Sequence, residues 1–262
     1  MNPDAPILEA KGLVKEFTGR RGRLRALRGV DVALRPGKNL GIVGESGAGK
    51  STILNILLGI EMPGAGSIMF RGEALDTRSR VQMARFRREV QVVFQDPKTS
   101  LDPRMRVGTS IAEPLRSLKI RGDHAARVRA MLAAVGLDPA VASRYPGEFS
   151  GGQRQRIAIA RALAPSPQVL IADEPVSALD VSVRVQILDL LESLKRQRGL
   201  TLILVSHDLA VVGRLCDEII VLRAGRVVES GGTRAIFSSP RSPYTRRLLD
   251  SVPTLPAHNE EE

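Results

Sequence analysis

Gly44-Glu45-Ser46-Gly47-Ala48-Gly49-Lys50-Ser51, followed by Thr52, carries the residue types that cradle a phosphate chain. Glycines reach backbone conformations closed to other residues, so successive N–H groups can turn inward onto phosphate oxygens. A helix that starts at the end of such a loop presents its positive pole to the same anion. Lys50 then has the reach for β- and γ-phosphates, and the Ser51 hydroxyl is an oxygen ligand for Mg²⁺. The apolar run Leu40 to Val43 before the loop and the helical run Gly49 to Leu58 after it supply the strand–loop–helix setting this pattern needs.

Two further runs point to the same chemistry. Val169-Leu170-Ile171-Ala172-Asp173-Glu174 is an apolar strand ending in two carboxylates. The first suits Mg²⁺ beside a nucleotide, and the second could polarise an attacking water. Alone, the pair reads equally well as two solvated acids; the phosphate loop upstream favours the catalytic reading. Phe149-Ser150-Gly151-Gly152-Gln153 opens a helix that continues through Arg154-Gln155-Arg156-Ile157. Ser150 can cap that helix, and free N–H groups behind it make a second anion site. Two such sites in one chain suggest a nucleotide gripped from two sides.

The elements that must position these groups read as α/β. Strand-like segments run over Ile7 to Phe17, Ala26 to Leu34, Leu40 to Val43 and Val90 to Phe94, and the loop after them carries Pro97 and Pro103. Helical patterns fill Val107 to Ala164. Strands return at Gln168 to Ala172, Thr201 to Ser206, Glu218 to Arg223 and Arg226 to Glu229. Val181 to Arg198 has Val185, Leu188, Leu191 and Leu194 at helical spacing. Alternating strands and helices predict a mixed, largely parallel sheet, with an N-terminal antiparallel part and an inserted helical subdomain spanning about residues 96–165. One domain is expected over residues 1–252, with Pro253 to Glu262 a loose tail.

Composition narrows the classes. The 262 residues are 43% apolar and 26% charged, as in a soluble globular chain. No apolar run approaches the roughly 20 residues that cross a bilayer, and Met1 to Ala10 lacks a secretory pattern. One cysteine, Cys216, rules out an intrachain disulfide or a cysteine cluster and reads as a small buried apolar residue. The net charge of +11 attracts phosphate backbones or anionic headgroups. With no Trp and two Tyr, stacking on single strands has little support. Arg78, Arg80, Arg85, Arg87 and Arg88 read as a solvated helix face. His124 and His258 match nothing and receive no role.

On these motifs the chain resembles the ATPase subunits of ABC transporters over essentially its whole length. Ser150-Gly151-Gly152-Gln153 is similar to the family signature, with Phe149 where Leu is usual. The resemblance makes Asp173 a Mg²⁺ ligand, Glu174 the catalytic carboxylate and Gln95 the glutamine of the Q-loop, near the metal. It makes Ser177-Ala178-Leu179-Asp180 the D-loop and His207 the switch histidine. Phe17 stands where the family places an aromatic against adenine, and it keeps the stacking face without a hydroxyl.

A narrower resemblance, to subunits driving oligopeptide, dipeptide and nickel importers, lies in Phe94 to Arg104, Glu113-Pro114-Leu115, Asp180 to Val183 and Ser242-Pro243-Tyr244-Thr245. The cysteine-rich, cluster-binding C-terminal segment of many such subunits is not expected here, since Cys216 is the lone cysteine. The resemblance implies ATP and Mg²⁺, and a head-to-tail pair with an identical or homologous ATPase subunit. It also implies two transmembrane permease subunits, a periplasmic or extracellular substrate-binding protein, and a place on the cytoplasmic face of the inner membrane. No nucleic acid is expected. Two other readings stay open: the ATPase of an ABC exporter, and a soluble ABC-type ATPase acting on nucleic acid or ribosomes.

Overall fold

The computed structural model describes residues 5–19, 22–96 and 100–250. The described residues form two sheets. In the first, β1 (Leu8–Gly19) pairs antiparallel with β2 (Gly22–Leu34) and with β4 (Ala65–Phe70), and β5 (Glu73–Ala74) edges β4. The second contains β3 (Leu40–Val43), β6 (Val90–Val93), β7 (Val169–Asp173), β8 (Thr201–Ser206), β9 (Glu218–Arg223) and β10 (Arg226–Gly232). Their order is β10-β9-β3-β8-β7-β6, parallel throughout except for β10.

The inner strands are almost continuously apolar because helices or the first sheet cover both faces. Alternation then sorts their side chains into two cores. Val169, Ile171, Ile203 and Val205 pack with the first sheet and α1 (Lys50–Leu57), against Ile53, Leu54 and Leu57. Leu170, Ala172, Leu202 and Leu204 face the opposite side, with Ile157, Leu188 and Leu191. Each large aliphatic side chain buried in this way stabilises the fold by roughly 1.5–3 kcal/mol.

Between β6 and β7 run α3 (Val107–Ser117), α4 (His124–Ala134), two 3₁₀ turns (Pro139–Ser143 and Pro146–Glu148) and α5 (Gly151–Leu163). α2 (Arg80–Glu89) buries Met83 and Phe86, is capped by Ser79, and leaves Arg80, Arg85, Arg87 and Arg88 exposed, as the solvated-face reading expects. α6 (Val181–Arg198) follows β7; α7 (Leu209–Leu215), α8 (Thr233–Ser238) and α9 (Pro243–Asp250) complete the chain's helices among the described residues.

Val185 is exposed, and Ile187 takes its place beside Leu188, Leu191 and Leu194 on the buried face of α6. Val185 stands three residues before Leu188 and Ile187 four before Leu191, so helical spacing fits either choice, and only the position of the neighbouring helices selects between them. Strands β4 and β5 and helices α7 to α9 lie outside the segments read from the sequence. Pro97 and the tail from Pro253 fall outside the described residues.

Candidate active site

Parallel register brings the ends of three strands together. Val43 lies opposite Ser206, and Asp173 opposite Val205. The loop after β3, the acids ending β7 and the histidine after β8 therefore meet at the carboxyl edge of the sheet, where open α/β sheets bind ligands.

The phosphate loop folds on itself and on the first sheet. Ala48 N–H donates to the Glu45 carbonyl at 3.1 Å, and Gly225 N–H donates to the Ala48 carbonyl at 2.9 Å. Gly49 precedes α1 with φ 108°, and a Cβ there would stand 2.8 Å from the Ala26 carbonyl oxygen. Only glycine meets both conditions. Lys50 Nζ folds back to donate to the Gly44 carbonyl at 2.6 Å and the Glu45 carbonyl at 3.0 Å. Burial draws its ammonium below the usual lysine range, against the opposing pull of the Glu174 and Asp173 carboxylates.

Asp173 is shifted the other way. Burial and the neighbouring Glu174 charge raise its carboxyl, and Lys50 acts against them. Glu174 has φ +42°, in the left-handed region that non-glycine residues rarely occupy. Its N–H donates to the Val205 carbonyl at 2.8 Å, and its own carbonyl accepts from Ser177 Oγ at 3.1 Å. These bonds hold the turn at the end of β7. Glu174 Oε1 then stands 3.0 Å from His207 Nδ1, while Oε2 accepts from Gln95 Nε2 at 3.1 Å. Gln95 also approaches Ser177 Oγ at 3.4 Å.

A cavity of about 950 Å³ opens over these groups. Phe17, Gly44 to Gly47, Gly49 to Thr52, Gln95, Asp173, Glu174 and His207 all line it. Ala48 is buried beneath the loop and does not. Phe17 is 40% exposed, with Lys15 Nζ 5.3 Å from its ring centroid, so a stacking face is available at the rim. Ser150, Gly151, Gly152, Gln153 and Asp180 lie outside the lining. Ser150 and Gln153 form a reciprocal capping box on α5. Gly152 is packed so tightly on α6 that a Cβ would come within 2.4 Å of Val183 Cγ1. Asp180 occupies the N-cap position of α6.

Sequence reasoning missed several lining residues. Leu24 and Arg25 reach the cavity because β1 and β2 pair Phe17 with Leu24, and Leu248 reaches it from α9. The hairpin register carried a signal for the first two; nothing local marked Leu248.

The donor set fits the groups the motifs imply. A Ser51 hydroxyl and an Asp173 carboxylate are hard oxygen ligands. Among the described residues no cluster of three or more His, Cys, Asp or Glu could cage a metal by itself. That suits Mg²⁺, which takes one or two protein oxygens and completes its shell with water and phosphate.

The family model "ABC transporter" matches residues 27–177. The chain belongs to the ABC transporter family. ATP-binding members of that family hydrolyse ATP to drive transport. A second model, "Oligopeptide/dipeptide transporter, C-terminal region", matches residues 228–262 of this ABC protein. Curated relatives include the glutathione import ATP-binding protein GsiA of Salmonella typhimurium, 50% identical in an alignment of length 257 that covers 95% of this chain and 41% of the relative. GsiA of Escherichia coli K12 is 49% identical over the same span. The ABC chain thus covers about two fifths of these relatives' length.

Among solved structures, cbiO1 of Clostridium perfringens, described as part of the transporter complex cbiONQ, is 29% identical with TM-score 0.78 over 90% of this chain and 92% of that one. The dimeric cassette MJ0796, in a post-hydrolysis state bound to ADP and Pi, is 31% identical with TM-score 0.77 over 87% of this chain and 99% of that one.

Proposed function

We propose that this chain binds and hydrolyses ATP as the nucleotide-binding subunit of an importer for small peptides, glutathione-like tripeptides included. The peptide branch is supported by the match of residues 228–262 and by the likeness to the GsiA proteins. Two permease subunits would carry the cargo path, an extracytoplasmic binding protein would deliver cargo to them, and the ATPase would dock on the cytoplasmic face.

In this reading Phe17 stacks on adenine and the loop from Gly44 to Thr52 surrounds the phosphates. Lys50 keeps the Gly44 carbonyl and turns its other donors onto phosphate oxygens, a stronger, charge-assisted contact. Ser51, Gln95 and Asp173 would hold Mg²⁺, whose contribution is to neutralise phosphate charge. Glu174 orients and deprotonates the attacking water, with Gln95 and His207 fixing its two oxygens, and His207 is placed to contact the γ-phosphate.

One observation carries the further claim that two chains share each site. The cavity gathers one half of the motifs, while the donors at the start of α5 lie outside it. A γ-phosphate held by Lys50 on one side needs donors on the other, and a partner's Ser150–Gly152 helix start would supply them. The dimeric MJ0796 structure supports such pairing.

The test is sedimentation with ATP and Mg²⁺. The Glu174→Gln variant is expected to form ATP-dependent dimers, alone or with a homologous ATPase partner. Adding Ser150→Arg puts bulk and charge at the seam and is expected to abolish them. Dimers that persist in the double variant would overturn the shared-site reading.

A further inference from the structure

The phosphate loop is fastened from outside as well as from within. Glu45 N–H donates to Tyr244 Oη at 3.1 Å. The carbonyl of the same peptide unit, that of Gly44, accepts from Lys50 Nζ at 2.6 Å. A peptide unit is a rigid plane. One plane therefore carries Lys50 on its oxygen and Tyr244 on its nitrogen. Turning it away from Tyr244 also turns its oxygen away from Lys50.

Tyr244 is itself firmly placed. It is 4% exposed, and the Arg223 guanidinium lies 4.9 Å from its ring centroid. Its N–H donates to Ser242 Oγ at 3.2 Å. The Glu229 carboxylate fixes the approach to α9 by accepting from the N–H groups of Arg241 at 2.8 Å and Ser242 at 3.1 Å. A tyrosine serving only as packing has no use for its hydroxyl in the core. Here the hydroxyl meets a loop amide 199 residues away in the sequence. The contact is part-buried, so an amide that loses this acceptor loses stabilisation, and the contact biases the loop toward one conformation.

We propose that Tyr244 is a positioning residue for the phosphate loop, acting on Lys50 through the Gly44–Glu45 peptide. The segment matching the peptide-transporter C-terminal region thereby takes part in nucleotide binding. The inference rests on the nucleotide reading of the site. Tyr244 touches no phosphate in this scheme; it fixes the plane from which Lys50 operates.

The test uses the full chain and three measurements: MgATP affinity by fluorescence titration, hydrogen exchange at the Glu45 amide without nucleotide, and thermal stability. Tyr244→Phe keeps the ring and the Arg223 contact and removes only the acceptor. Its dissociation constant for MgATP is expected to rise about fivefold, the equivalent of one ordinary hydrogen bond. Glu45 exchange should quicken, with Tm lowered by no more than a few degrees. Tyr244→Leu, which also loses the ring, should weaken binding further and lower Tm. Wild-type affinity in the Phe variant would overturn the proposal, whether or not Glu45 exchange changes, because the hydroxyl would then be structural only. Unchanged Glu45 exchange would overturn it too, by denying the contact. A wild-type chain that binds no ATP would instead sink the nucleotide reading, and the exchange measurement would still judge the Tyr244 contact.

Discussion

His207 Nδ1 stands 3.0 Å from Glu174 Oε1, which joins the end of β8 to the end of β7 across the carboxyl edge of the sheet. The contact depends on the left-handed turn at Glu174, since an extended residue there would direct the carboxylate to the face of the sheet that carries Leu170 and Ala172. Glu174→Gln retains shape and removes the base. Turnover is expected to fall by about 10²- to 10⁴-fold with MgATP affinity retained. An assay showing near-native turnover would remove Glu174 from the reaction.

Lys50→Ala is expected to weaken MgATP binding about 10- to 100-fold, the range for losing hydrogen bonds from a charged donor. Turnover should be lost with it. Affinity and hydrolysis measured on one preparation decide the matter, and unchanged hydrolysis would remove the central claim of the site.

Gly49→Ala tests the backbone of the loop separately from its charge. The new Cβ would meet the Ala26 carbonyl, and φ 108° is closed to alanine. The strain is of order 1–3 kcal/mol. A scan should show Tm lowered by several degrees together with weaker nucleotide binding. A native Tm would mean that the loop relaxes at no cost.

The segment after Gln95 is expected to link the nucleotide to the permeases. Arg161, near the end of α5, grips the Ser100 carbonyl, so the helix that begins at Ser150 also holds this loop. Asp102, Pro103 and Arg104 beyond it are exposed. Single cysteines there should cross-link to cytoplasmic loops of the permeases, with yields that change between nucleotide states. No cross-link in any state would place the coupling surface elsewhere.

Cys216 should be inert in the native protein. It is 7% exposed, and burial pushes its thiol well above the usual range, leaving almost no thiolate at neutral pH. A thiol reagent is expected to modify it only after unfolding. Rapid labelling of the folded chain would contradict this.

The local chemistry was legible in the residue order. The phosphate loop between β3 and α1, the acids ending β7, the capped start of α5 and the histidine after β8 are contiguous motifs. Their conformations follow from glycine's freedom, from capping and from apolar runs long enough to be buried strands. The parallel sheet was legible for the same reason.

What only the tertiary structure decided was which motifs share a cavity. Parallel register brought Lys50, Asp173, Glu174 and His207 to one edge, and the chain's path left Ser150 to Gln153 and Asp180 outside the lining. It also chose Ile187 over Val185 for the core and set Tyr244 on the phosphate loop. Such choices depend on how distant elements pack, and residue spacing within one element carries no information about a neighbour 199 positions away.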